Sequence, residues 1–367
     1  MKPVKMAGRP INIQLDPTSC CNLRCAMCIR EDLEETEKNR NMTLEEFKYV
    51  YDVIKPRSIN MAATGEPLLN PDFLGMIRYA KKVNQGKVIT SSNLTLVDEK
   101  VAKEIVESQL DILKVSIDAA TKETYLKIRR RPFFDRIIQS AKTIRAIKES
   151  TQVDKPEMRF EFVIQKDNYQ EMKILIEFSR EIGMDYVFFR ILEVEGLAPA
   201  KKMRLWDNVS VSEIQVELQR ACQAAEKLGV RTNLPDLVRD FSSLAFKYGQ
   251  NSALRLERKK RGVCLLPWFQ IFVSVNGDVS TCCNLGIIEK EYVGNIFRDG
   301  YSEVWNGSKT QDLRQIFRER QNYNRFEVCR DCAYPMNFST LLKWTSLMPN
   351  YLPKVLSQTS RIFELRG

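Results

Sequence analysis

Residues 19–30 read SCCNLRCAMCIR, and within them Cys21, Cys25 and Cys28 are spaced CxxxCxxC. One loop with this spacing wraps a single iron–sulfur cluster while supplying three thiolates, and a 4Fe–4S cubane held by three thiolates leaves one iron open to another ligand. A structural zinc site would need a fourth ligand nearby, usually cysteine or histidine. The chain contains no histidine. Cys20 offers a fourth thiol, but adjacent cysteines rarely reach one metal with good geometry. The spacing points to an open cluster, with structural zinc and plain buried thiols as the alternatives.

At 367 residues, 44% hydrophobic and 28% charged, the chain has a globular composition and room for one large and one small domain or for two medium ones. Ten cysteines with no secretory leader argue against an exported disulfide scaffold and for metal ligands in a reducing cytoplasm. No apolar run approaches the roughly 18 residues of a membrane span, so the protein is expected to be soluble or at most peripheral. The net charge of +10 raises the question of anionic partners. The densest basic cluster, Arg255, Arg258, Lys259, Lys260 and Arg261, lacks the interleaved aromatics used for base stacking and reads as a solvated helix face. Nucleic acid is not an expected partner. Without histidine, acid–base steps fall to Asp, Glu, Tyr, Lys or Cys, and Ser-His hydrolase chemistry is excluded.

From residue 11 to 192, β-rich runs alternate with helical patterns. The runs are INIQLD (11–16), SINMAAT (58–64), KVITSS (87–92), DILKVSID (111–118), EMRFEFVIQ (157–165) and YVFFRIL (186–192). Thr43 and Glu46 form a capping box for the first helix, and apolar spacing predicts further helices over 71–84, 97–108, 133–149 and 168–182. Such alternation implies parallel strands with crossover helices. Six units rather than eight make an open, partial (β/α)6 barrel whose active site lies at the C-terminal strand ends. The cysteine loop follows the first strand, at that end.

The triad, with Met27 before its last cysteine, resembles the signature loop of radical S-adenosylmethionine (SAM) enzymes. The resemblance implies that the open iron chelates the amino and carboxylate groups of SAM, and that one electron from the cluster breaks the sulfonium to give a 5′-deoxyadenosyl radical, which takes a hydrogen atom from the substrate. After the second strand, ATGEPLLNPDF is similar to the family's Gly-Gly-Glu-Pro motif, which binds the SAM amino group, with Thr64 in place of the first glycine. Gly65 permits close backbone approach, Glu66 supplies a carboxylate and Pro67 sets the turn. TSSNLTL resembles the family's Thr-Asn-Gly turn and puts Asn93 toward the cofactor. In KVSIDAATKETYLKIRR, Ser116 and Asp118 are two apart and point to one strand face. By resemblance they contact the ribose and carboxylate of SAM, with Arg129 pairing with the carboxylate; a surface ion pair between Asp118 and Arg129 is the alternative. Asn168 and Arg190 are weaker candidates, equally readable as caps or solvated ends.

Residues 197–262 hold no chemical motif. VSEIQVELQRACQAAEKLG (211–229) is an amphipathic helix ended by Gly229, and Cys222 on it reads as a small core residue rather than a hydrogen-atom donor. A second cysteine cluster runs from Cys264 in CLLPW, through a hairpin with an Asn276-Gly277 turn, to Cys329 and Cys332 in CRDC. Two separated cysteines and a CxxC close a four-thiolate site, for a cluster or for zinc. The segment YVGNIFRDGYSEVWNGSKTQDLRQIF resembles the helical insertion of the SPASM and Twitch domains of radical SAM enzymes. Cys282 and Cys283 compete for one ligand place, and the resemblance favours Cys282. A full SPASM domain, with two extra clusters, needs about seven cysteines by ligand counting. Five exist from Cys264 onward, so one auxiliary cluster in a Twitch-like arrangement is expected.

The reading is an α/β radical SAM oxidoreductase with two 4Fe–4S clusters and SAM as cofactors. Its parts are a partial barrel (1–196), a helical linker (197–262), a small α+β SPASM/Twitch-like cluster domain (263–335) and a C-terminal tail (336–367). The metal ligands are Cys21, Cys25, Cys28, Cys264, Cys282, Cys329 and Cys332. The expected substrate is a small polar metabolite, sugar or alcohol, oxidised or rearranged. The alternatives are maturation of a ribosomally made peptide or a protein, modification of a lipid, and a non-catalytic electron-transfer protein. Peptide-modifying relatives often carry an N-terminal recognition domain, whereas only 20 residues precede Cys21. A flavodoxin or ferredoxin is the expected reductant. The basic, apolar tail is broken by two prolines and is expected to pack on the barrel rather than on a membrane.

Overall fold

A computed structural model of the chain describes residues 4–34, 38–62, 64–192, 203–205, 209–248 and 264–332. The basic run from Arg255 to Arg261 and the tail from Met336 lie outside the described residues. Strands and helices alternate in the order β1 (Asn12–Leu15), α1 (Leu44–Ile54), β2 (Ser58–Met61), α2 (Phe73–Asn84), β3 (Lys87–Ser92), α3 (Glu99–Glu107), β4 (Ile112–Ser116), α4 (Lys122–Arg129), α5 (Phe134–Thr151), β5 (Glu157–Ile164), α6 (Met172–Ile182) and β6 (Tyr186–Ile191). The strands lie in sequence order, each parallel to the next, and β6 forms a sheet edge, so the barrel is open. This is the partial barrel that the alternation predicts.

Local chemistry places the helices. Thr43 caps α1 by accepting the Glu46 N–H, and its own N–H donates to Glu46 Oε2 at 2.8 Å. Helix α4 is additional to the expected set. Thr121 caps it by accepting the Thr124 N–H, and Tyr125 and Ile128 bury its one apolar stripe. At eight residues it is too short for its periodicity to stand out from the charges around it.

Along β5, Met158, Phe160, Phe162 and Ile164 are fully buried while the residues between them are not. This is the period of two that a strand imposes when one face is packed. Phe160 stacks on Phe178 of α6, and Phe178 on Phe134 of α5. Each large side chain buried in this way contributes roughly 1.5–3 kcal/mol. The core therefore sits between the sheet and its helices, and the inner face of the half-barrel is left to polar residues.

After β6 come α7 (Val211–Leu228), closed by Gly229 at φ +64°, and α8 (Leu234–Tyr248). The chain resumes with α9 (Leu266–Phe269), β7 (Gln270–Val273), β8 (Asp278–Ser280), α10 (Cys283–Ile287), β9 (Gly294–Asn295), α11 (Ile296–Asn306), α12 (Ser308–Arg318), α13 (Asn322–Arg325) and α14 (Glu327–Asp331). β7 and β8 pair antiparallel through the Asn276-Gly277 turn, with Gly277 at φ +82°. β7 also pairs in parallel with β1, so the hairpin, with β9 paired to β8, extends the barrel's own sheet to nine strands. Among the described residues, no helix is long and apolar enough to cross a membrane.

Asn12 locks the seam between the two halves. Its Nδ2 donates to Gln270 Oε1 on β7 at 2.8 Å, and its Oδ1 accepts Ser58 Oγ on β2 at 2.6 Å. All three residues are buried. The start of the chain is tied to the C-terminal helices as well: Arg314 donates to the Val4 carbonyl at 2.8 Å and Trp305 Nε1 to the Gly8 carbonyl at 2.7 Å. Replacing Asn12 by Leu keeps the volume but strips Gln270 and Ser58 of a buried partner. We expect a loss of about 1–3 kcal/mol in urea denaturation; an unchanged midpoint would mean that backbone pairing alone holds the seam.

Candidate active site

The loops after β1 to β4, together with Arg129 at the end of α4, open into one cavity of about 450 Å³. Cys21, Cys25, Cys28, Gly65, Glu66, Asn93, Ser116, Asp118 and Arg129 all line it. The cysteine loop is shaped by its own backbone: the Cys28 N–H donates to the Cys25 carbonyl at 3.0 Å and the Ala26 N–H to the Ile128 carbonyl at 2.8 Å. Buried Arg30 braces it by donating from Nε to the Ser19 carbonyl at 2.7 Å. Burial pushes the Cys21 and Cys28 thiols up, Cys28 to about 12, and in both the neighbouring Cys25 adds to the effect. A bare thiolate is therefore disfavoured here, and the cationic irons of a cluster are what would hold the three sulfurs ionised. Among the described residues, no three Cys, Asp or Glu side chains converge on a single metal ion. A cubane asks for less convergence, because each thiolate bonds a different iron.

Gly65 is needed by the protein itself. A Cβ there would lie 2.3 Å from the Thr18 carbonyl oxygen and 2.5 Å from that of Cys20. The next N–H, of Glu66, donates to the Cys20 carbonyl at 2.7 Å. The close approach thus clamps the β2 loop onto the entry of the cysteine loop. Thr64, where the family motif has glycine, is buried, and its hydroxyl and N–H both donate to Asp16 at the end of β1. Burial raises the Asp16 carboxyl to about 7, so the pair is a second polar tie between the same two loops.

Glu66 is buried and already accepts Ser92 Oγ and the Asn93 N–H, each at 2.7 Å, and the Leu68 N–H at 3.3 Å. A carboxylate has about four acceptor positions, so one further donor fits. The Asn93 side chain is largely engaged: it donates to Asn22 Oδ1 at 2.9 Å and accepts Thr95 Oγ1 at 2.7 Å. It positions the loop while still bordering the cavity.

Two expectations for the fourth strand are corrected. β4 ends at Ser116, and Asp118 has φ +53°, so a turn rather than strand alternation brings its carboxylate to the site. Arg129 is paired within the protein: Nη2 donates to Asp118 Oδ2 at 2.5 Å and Nη1 to Cys25 Sγ at 3.4 Å. At 10% and 1% side-chain exposure, this is a buried ion pair and not a surface one. Burial opposes the guanidinium's charge, and Asp118 followed by Cys25 more than offsets it, raising the Arg129 pKa. Its Nε is buried without a partner. Asn168 is a scaffold residue that donates to the Asp118 and Val163 carbonyls, each at 2.9 Å. Arg190 does border the cavity. Cys222 packs against the core, as its helix predicts.

The second group of thiols lies beside the same cavity. Burial pushes Cys282 well up, with Cys283, Cys264 and Cys332 adding to it, and raises Cys329 to about 12, with Cys264 adding. Cys264 is thus within electrostatic reach of both Cys282 and Cys329, and Cys332 of Cys282. Cys283 borders the cavity, as Cys332 does, and lies near Gln14 and Arg190 as well as near Cys282. The inward residues Gln14, Asn60, Lys114 and Glu161 also line the cavity and were not singled out from sequence. Their signal was present in the polar positions of each otherwise apolar strand.

The family model of the Radical SAM superfamily matches residues 15–178, and that of SPASM, an iron–sulfur cluster-binding domain, matches residues 264–333. The chain belongs to the radical SAM superfamily and carries a SPASM domain. Its cofactors are 4Fe–4S clusters and SAM. An AdoMet-dependent heme synthase of Methanosarcina barkeri is 24% identical over 347 residues, covering 90% of each chain. A tungsten-containing aldehyde ferredoxin oxidoreductase cofactor-modifying protein of Pyrococcus furiosus is 28% identical over 341 residues, covering 88% of this chain and 86% of that one. Among solved structures, native anSMEcpe with bound AdoMet superposes with a TM-score of 0.62 at 15% identity, covering 96% of this chain and 100% of the other. In this radical SAM chain, Gly65→Ala should destabilise the fold by about 1–3 kcal/mol through overpacking and lower the iron retained by the N-terminal loop. Thermal unfolding and iron analysis read both, and wild-type values would show that the two loops can part without loss.

Proposed function

We propose that the chain is an oxidoreductase that uses SAM to abstract a hydrogen atom from a small polar metabolite, sugar or alcohol, leading to its oxidation or rearrangement. When bound, the cluster and SAM together supply one electron to the sulfonium and a 5′-deoxyadenosyl radical that takes the substrate hydrogen. The observation that carries the reading is the single cavity in which three thiols meet the strand-end residues of β2, β3 and β4.

In this reading Cys21, Cys25 and Cys28 hold the first cluster. Glu66 accepts the SAM ammonium at its remaining acceptor position, Ser116 and Asp118 border the ribose, and Arg129 Nε faces the carboxylate. The Asp118 to Arg129 to Cys25 chain of contacts fixes the guanidinium, so that binding does not have to order it. Cys264, Cys282, Cys329 and Cys332 hold one auxiliary cluster, which accepts an electron from the substrate radical or ligates the substrate. A flavodoxin or ferredoxin supplies the reducing electron. The polar inner wall supports a small polar substrate over a lipid.

Two experiments test this. Anaerobically reconstituted and reduced protein should convert SAM to 5′-deoxyadenosine and methionine, and Cys25→Ala should abolish the conversion; cleavage at the wild-type rate in that variant would overturn the assignment. Iron analysis should give about eight irons per chain, and about four after Cys21, Cys25 and Cys28 are all replaced by Ala, because the second site is closed by four thiolates. Zinc without iron in the triple variant would refute the auxiliary cluster.

A further inference from the structure

Several buried polar side chains around the second group of thiols have nothing to bond to. Among the described residues, the hydroxyls of Ser280 and Thr281, just before Cys282, and both side-chain amide atoms of Asn322 on α13 are buried without a hydrogen-bond partner. Asn322 is the extreme case, at 1% exposure. A fully buried amide with neither its N–H nor its oxygen engaged is costly, and it calls for a partner that arrives with a ligand.

The backbone sets this amide beside a thiol. The Asn322 carbonyl accepts the Phe326 N–H at 3.0 Å, and the Phe326 carbonyl accepts the Cys329 N–H at 3.2 Å, so two bonds carry the chain from Asn322 to Cys329 in successive turns. The joint between α13 and α14 is fixed on both sides. Buried Phe326 stacks on Phe317 of α12, and Glu289 accepts the Val328 N–H at 2.9 Å. Burial raises the Cys329 thiol, the Asn322 side chain draws it back down, and Cys264 and Glu289 raise it further. An amide that favours a thiolate does so through its N–H, because its oxygen would instead accept from the neutral thiol.

We propose that Asn322 is a positioning residue of the auxiliary cluster: its Nδ2 donates to the Cys329 thiolate once iron is bound there, and this hydrogen bond raises the cluster's reduction potential. The inference rests on the proposed function and deepens its auxiliary site. Hydrogen bonds to sulfur are among the levers that set a cluster's potential. An added electron places more negative charge on the sulfurs, and an N–H aimed at one of them stabilises that reduced form. Asn322 adds no ligand to the four thiolates and acts through Cys329 alone. A raised potential suits a cluster that accepts an electron.

The test is a redox titration of the full-length, anaerobically reconstituted protein, followed by electron paramagnetic resonance. The signal that SAM alters belongs to the N-terminal loop, and the signal that SAM leaves unchanged belongs to the closed auxiliary cluster. In Asn322→Leu the auxiliary couple should become harder to reduce by about three- to tenfold in its equilibrium constant, which is roughly 30–59 mV for a one-electron couple. The SAM-responsive couple should keep its potential. Iron content and thermal unfolding show whether the variant is folded and loaded. If Asn322→Leu fails to fold, Asn322→Asp, which has the same shape but lacks the N–H, decides the question by the same fall in potential. Loaded variants whose auxiliary potential matches the wild type, or in which both couples shift together, refute the hydrogen bond alone. Wild-type protein that does not cleave SAM refutes the proposed function, and wild-type protein that cleaves SAM but holds no SAM-insensitive cluster refutes the auxiliary cluster and the role of Asn322 with it.

Discussion

Strand β1 is four residues long and pairs in parallel on both sides, with β2 and with β7. The protein hangs on this double pairing. On one side β1 opens the barrel; on the other it receives the C-terminal hairpin, and its own C-terminal end releases the cysteine loop. A shift of one residue would turn its side chains over, and Asn12 opposes that by bonding to Gln270 and Ser58 at once. One strand thus sets where both groups of thiols stand relative to the same cavity.

Above β1, the loops are held by contacts that leave the cavity side free. Gly65 lets the backbone of the β2 loop press onto the carbonyls of Thr18 and Cys20, and Thr64 fastens to Asp16 beneath it. These ties are short and buried, so the geometry around the thiols does not depend on a ligand to assemble it. The same economy appears at Arg129, where Asp118 and Cys25 each occupy one terminal nitrogen and Nε is left over. A guanidinium held in this way offers a directed donor at little entropic cost.

Much of the fold was readable along the chain. Alternating β-rich and helical runs give an open six-stranded barrel; the capping box at Thr43 and the Asn276-Gly277 hairpin appear where local chemistry puts them. The thiol spacing, with the Gly65-Glu66 and Asn93 motifs, pointed to residues that do share one cavity. Helix α4 escaped because it is short and charged, and the burial of the Asp118–Arg129 pair, which the sequence offered as a surface ion pair, escaped because burial leaves no periodic trace. The choice between Cys282 and Cys283 was likewise open in sequence. In the fold Cys282 lies within electrostatic reach of Cys264 and Cys332, and Cys283 within reach of Gln14 and Arg190.

Properties carried by near neighbours in the chain were therefore settled before folding. They are the close spacing of the three N-terminal thiols, the strand and helix order, and the turns that need glycine, all of which depend on residue type over a few positions. Properties that depend on residues far apart were decided by the tertiary structure. Among them are the joining of the hairpin to β1, the clamp between Gly65 and Cys20, and the gathering of Lys114, Glu161 and Arg190 from three strands into one inner wall. Each of these rests on distances and on burial, and a linear order of residues specifies neither until the sheet has brought its strands together.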